Sequence, residues 1–76
     1  MLSCEQVKEL IENAIEGATV QVHDLTGTSD HFGVQVESEA FRGKRLLDQH
    51  RMVQTACGEY LTREIHALEI KTIIPD

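Results

Sequence analysis

The sequence predicts an α+β fold in the order helix, strand, strand, a helical stretch that is one helix or split in two, strand (αββαβ or αββααβ), with a three-stranded sheet covered on one face by helices. Two observations carry that prediction. Along 76 residues the spacing of apolar side chains switches from helical to alternating, back to helical, and finally to alternating again. The length itself lies below the usual domain size of roughly 100–150 residues, so residues 1–76 are expected to form one domain around one core.

The elements follow in order. Ser3 followed by Gln6 fits a capping box, and Val7, Leu10, Ile11, Ala14 and Ile15 recur at helical spacing until Gly17 offers a stop. From Thr19 the period becomes two, with Val20 and Val22 facing one way and Gln21 and His23 the other. The turn formers Thr26, Gly27, Thr28, Ser29 and Asp30 come next, and then Phe32, Val34 and Val36 alternate with Gly33, Gln35 and Glu37, which makes a β-hairpin. Ser38 to Gly43 leaves the sheet, and a long helical stretch begins near Lys44. On it Leu46, His50, Val53 and Cys57 share a face that Leu47 and Leu61 widen, and Gly58 is a candidate bend, so the run is either one helix or two. Ile65 to Ile74 returns to β character, with His66, Leu68, Ile70 and Thr72 on one face and Ala67, Glu69 and Lys71 on the other, before Pro75 ends it.

Composition narrows the function classes. A formal net charge of −6 disfavours general affinity for nucleic acid, because counterion release needs clustered cations. Phe32, Phe41 and Tyr60 are the whole aromatic inventory, too little for a base-stacking platform. No segment approaches the ~20 apolar residues that span a bilayer, and the first nine residues contain no apolar signal-peptide stretch, so no membrane contact is expected. Two cysteines, Cys4 and Cys57, are too few for a disulfide framework and point to a reducing, cytoplasmic setting. Cys4, near the N-terminus, is the expected redox-sensitive thiol.

The serines lack a Gly-x-Ser-x-Gly context, there is no Cys-x-x-Cys, and no glycine-rich phosphate loop is present. An enzyme is not expected. Four histidines stand out instead: His23, His31, His50 and His66. His50 lies on the apolar helix stripe and is expected to pack there with a hydrogen-bonded ring; His23 is expected in solvent. His31 opens the second strand and His66 the last, so juxtaposed strand ends would bring two imidazoles together as an incomplete metal site. Arg42, Lys44, Arg45 and Arg51 gather positive charge at the start of the long helix, where the helix dipole does not favour it, and form a candidate surface for an anion.

Phe41-Arg42-Gly43-Lys44-Arg45, Gln49-His50-Arg51-Met52-Val53, and Ile65-His66-Ala67-Leu68 continuing through Thr72 to Pro75 occur in one register. Together they resemble the BolA family, across the whole chain. The resemblance implies a fold similar to class II K-homology domains. It also implies partnership with a monothiol glutaredoxin, the pair bridging a [2Fe–2S] cluster with glutathione as an added ligand. On that basis His66, the histidine of Ile-His-Ala-Leu, ligates iron. His31, in Ser29-Asp30-His31-Phe32, matches the Ser-His-Phe form of some members and is the candidate second ligand, with His23 as the fallback. The process served would be iron homeostasis, cluster trafficking or a stress response. Some members are described as DNA-binding, and in that alternative Arg42, Lys44, Arg45 and Arg51 contact phosphates. A third reading is a homodimer through an exposed sheet edge, linked or released by oxidation of Cys4 or Cys57.

Overall fold

A computed structural model describes residues 2–76, with the backbone alone described at Thr62; Met1, the first residue of the segment read above for a signal peptide, lies outside the described residues. The elements are α1 (Cys4–Ala14), β1 (Thr19–Asp24), β2 (His31–Glu37), a 3₁₀ turn (Glu39–Phe41), α2 (Leu46–Cys57), α3 (Tyr60–Arg63) and β3 (Ala67–Ile73). This is the αββααβ order, and the sheet is three-stranded in the order β1-β2-β3.

Each element starts and stops for a local reason. The Ser3 hydroxyl accepts from the Gln6 backbone N–H and the Gln6 side chain accepts from the Ser3 N–H, so the capping box that opens α1 is complete. At the far end of α2, Gly58 takes φ +59, a left-handed angle that other residues adopt only at a cost, and the chain breaks into the short α3. Ser38 turns the chain out of β2: its hydroxyl donates to the Glu16 carbonyl at 2.9 Å and accepts from the Ala40 N–H at 3.1 Å.

β1 runs antiparallel to β2, with Val20 opposite Val36 and Val22 opposite Val34. β2 runs parallel to β3, with Phe32 beside Leu68, Val34 beside Ile70 and Val36 beside Thr72. A parallel neighbour requires a crossover, and the 3₁₀ turn, α2 and α3 supply it. α1 packs on β1 and α2, and α2 packs on β3, so the helices lie on the valine face of the sheet. Phe32, Phe41, Ile11, Ile65, Val7, Val36 and Val53 are fully buried between the layers. Each such side chain stabilises the fold by on the order of 1.5–3 kcal/mol relative to exposure. On the other face Leu25 lies against Gly33, where a β-carbon would stand 3.2 Å from Leu25 Cδ2.

Three expectations are corrected here. The buried stripe of α2 is Gln49, Val53 and Cys57, spaced by four, whereas Leu46 and Leu47 are 63% and 58% exposed. His50 is therefore half-buried beside the stripe, and its ring makes no hydrogen bond among the described residues; Gln49 fastens helix to sheet instead. His66 and Ile65 precede β3 instead of belonging to it, and Ile65 is buried under the crossover. Among the described residues no helix is long and apolar enough to cross a membrane.

Candidate functional site

The hairpin turn is built on Asp24. Its two carboxylate oxygens accept from the backbone N–H groups of Gly27 and Ser29, each at 2.9 Å, which holds Ser29 at φ +61. The Leu25 N–H donates to the His31 carbonyl at 2.7 Å and closes the hairpin, so His31 leaves the turn as the first residue of β2. From the other side, the parallel register sets His31 beside Ala67. The backbone N–H of His66 donates to the Asp30 carbonyl at 2.7 Å, and that of Ala67 to the same oxygen at 3.3 Å.

The topology thus brings the two strand starts to one end of the sheet. The rings of His31 and His66 stack with centroids 6.0 Å apart and planes 16° from parallel. His66 is exposed and His31 half-exposed, so both are open to a partner. Nδ1 of His31 lies 2.7 Å from Oδ1 of Asp30, which also accepts from the Thr28 hydroxyl. The Thr28 hydroxyl, and after it His31, holds the Asp30 carboxyl below its usual range. Asp30 and Thr28 had been read only as turn formers. The signal for more was Asp30's place next to His31, directly after the turn.

Two adjacent imidazoles can present two neutral nitrogen donors to a transition metal. Among the described residues no cluster of three or more His, Cys, Asp or Glu side chains is placed to hold a metal ion. His23 does not join the pair: it sits opposite Gly33, exposed, with no ring contact to either histidine among the described residues.

The four basic residues prove to be two different things. Arg42 is ion-paired with Glu39, which holds its guanidinium further up, and its Nη2 also donates to the Pro75 carbonyl at 2.6 Å. Arg45 Nε donates to Asp48 at 3.0 Å. Lys44 and Arg51 are exposed with no carboxylate partner among the described residues. The i,i+3 spacing of Glu39 with Arg42 and of Arg45 with Asp48 was the available sign of this neutralisation. Cys4 opens α1 half-buried and packed against the core, and Cys57 is buried; both are free thiols. Burial pushes the Cys57 thiol up to about 11.

The family described as BolA-like protein matches residues 7–76. The chain is 42% identical to BolA-like protein 2 of Homo sapiens, over 99% of this chain and 88% of that one. It is 30% identical to the DNA-binding transcriptional regulator BolA of Escherichia coli, over 95% and 75% of the two lengths. The solved structure of a bolA protein homologue from Coxiella burnetii superposes with a TM-score of 0.85 at 32% identity, covering 100% of this chain and 95% of its own. These relatives are named as a regulator or as BolA-like proteins, and none of these names is that of an enzyme. A family match over most of the chain, relatives of similar length and a shared three-stranded α+β fold lead to one assignment: the chain belongs to the BolA family.

Proposed function

We propose that the chain is a non-enzymatic adaptor that docks on a monothiol glutaredoxin and shares or receives a [2Fe–2S] cluster, in iron homeostasis or cluster trafficking, with His66 and His31 as its own ligands. The observation that carries this reading is the solvent-accessible, stacked His31–His66 pair, with no group of three or more His, Cys, Asp or Glu side chains placed to hold a metal among the described residues. The donor chemistry fits. Two histidines on one iron and two thiolates on the other is the ligand pattern of a Rieske-type cluster, and the thiolates would come from the glutaredoxin and glutathione. A bound cluster supplies redox-active iron and a visible chromophore; the residues of this chain supply two nitrogens and a docking surface. The free thiols Cys4 and Cys57 accord with a reducing, cytoplasmic setting.

Mixing the purified chain with a cluster-loaded monothiol glutaredoxin tests the reading. The expected result is a 1:1 complex on gel filtration with a changed visible circular dichroism spectrum. An unchanged spectrum and no complex would overturn it.

A second reading is favoured by one observation, the DNA-binding name of the Escherichia coli relative. Here Lys44 and Arg51 would carry the phosphate contacts, because Arg42 and Arg45 are already paired with carboxylates. With so few free cations the logarithm of affinity should fall with that of salt at a slope of no more than about 2 to 4. Gel shifts at low and moderate salt check this, and duplex binding that ignores Lys44→Glu with Arg45→Glu and Arg51→Glu would remove these residues from any such role.

A further inference from the structure

Asp30 holds both histidines, through different groups. Its carboxylate oxygen Oδ1 lies 2.7 Å from Nδ1 of His31. Its backbone carbonyl accepts from the peptide N–H groups of His66 and Ala67, at 2.7 and 3.3 Å. The Thr28 hydroxyl donates to the same Oδ1, so the carboxylate is fixed from a second side.

An ionised carboxylate has no proton to donate and can only accept. Its partner at 2.7 Å must therefore be a donor, so Nδ1 of His31 bears the proton. A neutral imidazole carries one protonated and one bare nitrogen. With Nδ1 protonated, the lone pair of His31 is on Nε2.

We propose that Asp30 is the positioning residue of the histidine pair: its side chain fixes His31 as the Nδ1–H tautomer with Nε2 as the donor atom, while its carbonyl ties the approach to β3, and with it His66, to the same turn. The inference rests on the proposed function for the ligand role of the pair, and adds the group that aims it. The two histidines are then unequal. His31 is held in advance, whereas the His66 ring makes no hydrogen bond among the described residues and is stacked on the face of His31. A carboxylate behind an imidazole fixes the tautomer and orients the ring, which is how outer groups aim ligating histidines.

The test needs neither glutaredoxin nor cluster, so its failure is separable from failure of the proposed function. Long-range ¹H–¹⁵N correlation spectra of the ¹⁵N-labelled chain are recorded at about pH 8, above the ordinary histidine pKa of about 6.5, for the native sequence and for Asp30→Ala. The native His31 should show the Nδ1–H pattern. In Asp30→Ala it should move to the Nε2–H pattern, while hydrogen exchange at the His66 and Ala67 amides stays unchanged because the carbonyl clamp is backbone. A native His31 in the Nε2–H form, or an Asp30→Ala protein that keeps the Nδ1–H form, overturns the proposal. Should Asp30→Ala unravel the turn, exposed by fast exchange at His66, the native spectrum decides by itself.

Discussion

The Thr72 hydroxyl on β3 donates to the side-chain oxygen of Gln49 on α2, and the Gln49 amide donates in turn to the Lys44 carbonyl at 2.8 Å. One buried amide thereby joins the last strand, the long helix and the loop that precedes it. Truncating such a residue leaves buried partners without hydrogen bonds, at a cost of about 1–3 kcal/mol. Gln49→Ala is expected to lower stability by about that much in urea unfolding. His50→Ala, whose ring has no hydrogen bond among the described residues, should stay within about 0.5 kcal/mol of the native protein. The reverse ranking would return the helix anchor to His50.

That exchange of neighbours shows what periodicity could and could not resolve. The order of elements was legible because Val7, Ile11 and Ile15, and then Val20 and Val22 with Phe32, Val34 and Val36, repeat cleanly at their periods. The face of α2 was not. Leu46 and Leu47 are more apolar than Gln49, yet the helix starts at Leu46 and turns them to solvent. A glutamine is buried where the loop carbonyl and Thr72 can satisfy it, and that is a tertiary fact with no local signature. The site divides in the same way. His31 and His66 were visible as residues at strand starts, but only the parallel register of β2 and β3 makes their rings neighbours. The pairing of Arg42 with Glu39 and of Arg45 with Asp48, which takes two cations out of the basic cluster, was legible as i,i+3 spacing, but the reach of Arg42 to the Pro75 carbonyl became visible only with the fold.

The two thiols should differ in reactivity and in what pH does to them. Burial raises Cys57 from 9.0 to about 11, while Cys4 is half-buried at the start of α1. A native-state thiol reagent near neutral pH should modify Cys4 and leave Cys57 untouched until urea unfolds the protein. Because the folded Cys57 pKa is the higher one, its protonated form is favoured by folding. That contribution is fully present below the unfolded pKa and disappears as pH rises from about 9 through 11. Urea midpoints measured across that window should therefore fall in the native protein more steeply than in Cys57→Ala.

Arg42 fastens the end of the chain. Its guanidinium pairs with Glu39 and donates to the Pro75 carbonyl, 33 positions further along the sequence from Arg42. Exposed ion pairs contribute little to global stability, so Arg42→Ala should leave the urea midpoint in place. The local effect should be plain: faster amide exchange and sharper resonances at Ile74 and Asp76. An unaltered tail in Arg42→Ala would mean that the β3 pairing alone orders these residues.

The His66 ring is exposed, bears no hydrogen bond among the described residues and is joined to the fold through its backbone N–H, which an alanine retains. His66→Ala should therefore keep the native urea midpoint within about 0.5 kcal/mol of stability. It should nonetheless lose the visible circular dichroism change on mixing with cluster-loaded glutaredoxin. His31→Ala should weaken the same signal, because one imidazole cannot replace two. His23→Ala, opposite Gly33 and away from the pair's stack, should leave it intact. The three variants separate ligand from scaffold without relying on activity alone: a native cluster spectrum in His66→Ala removes the ligand assignment, and a lost one in His23→Ala moves the site along β1.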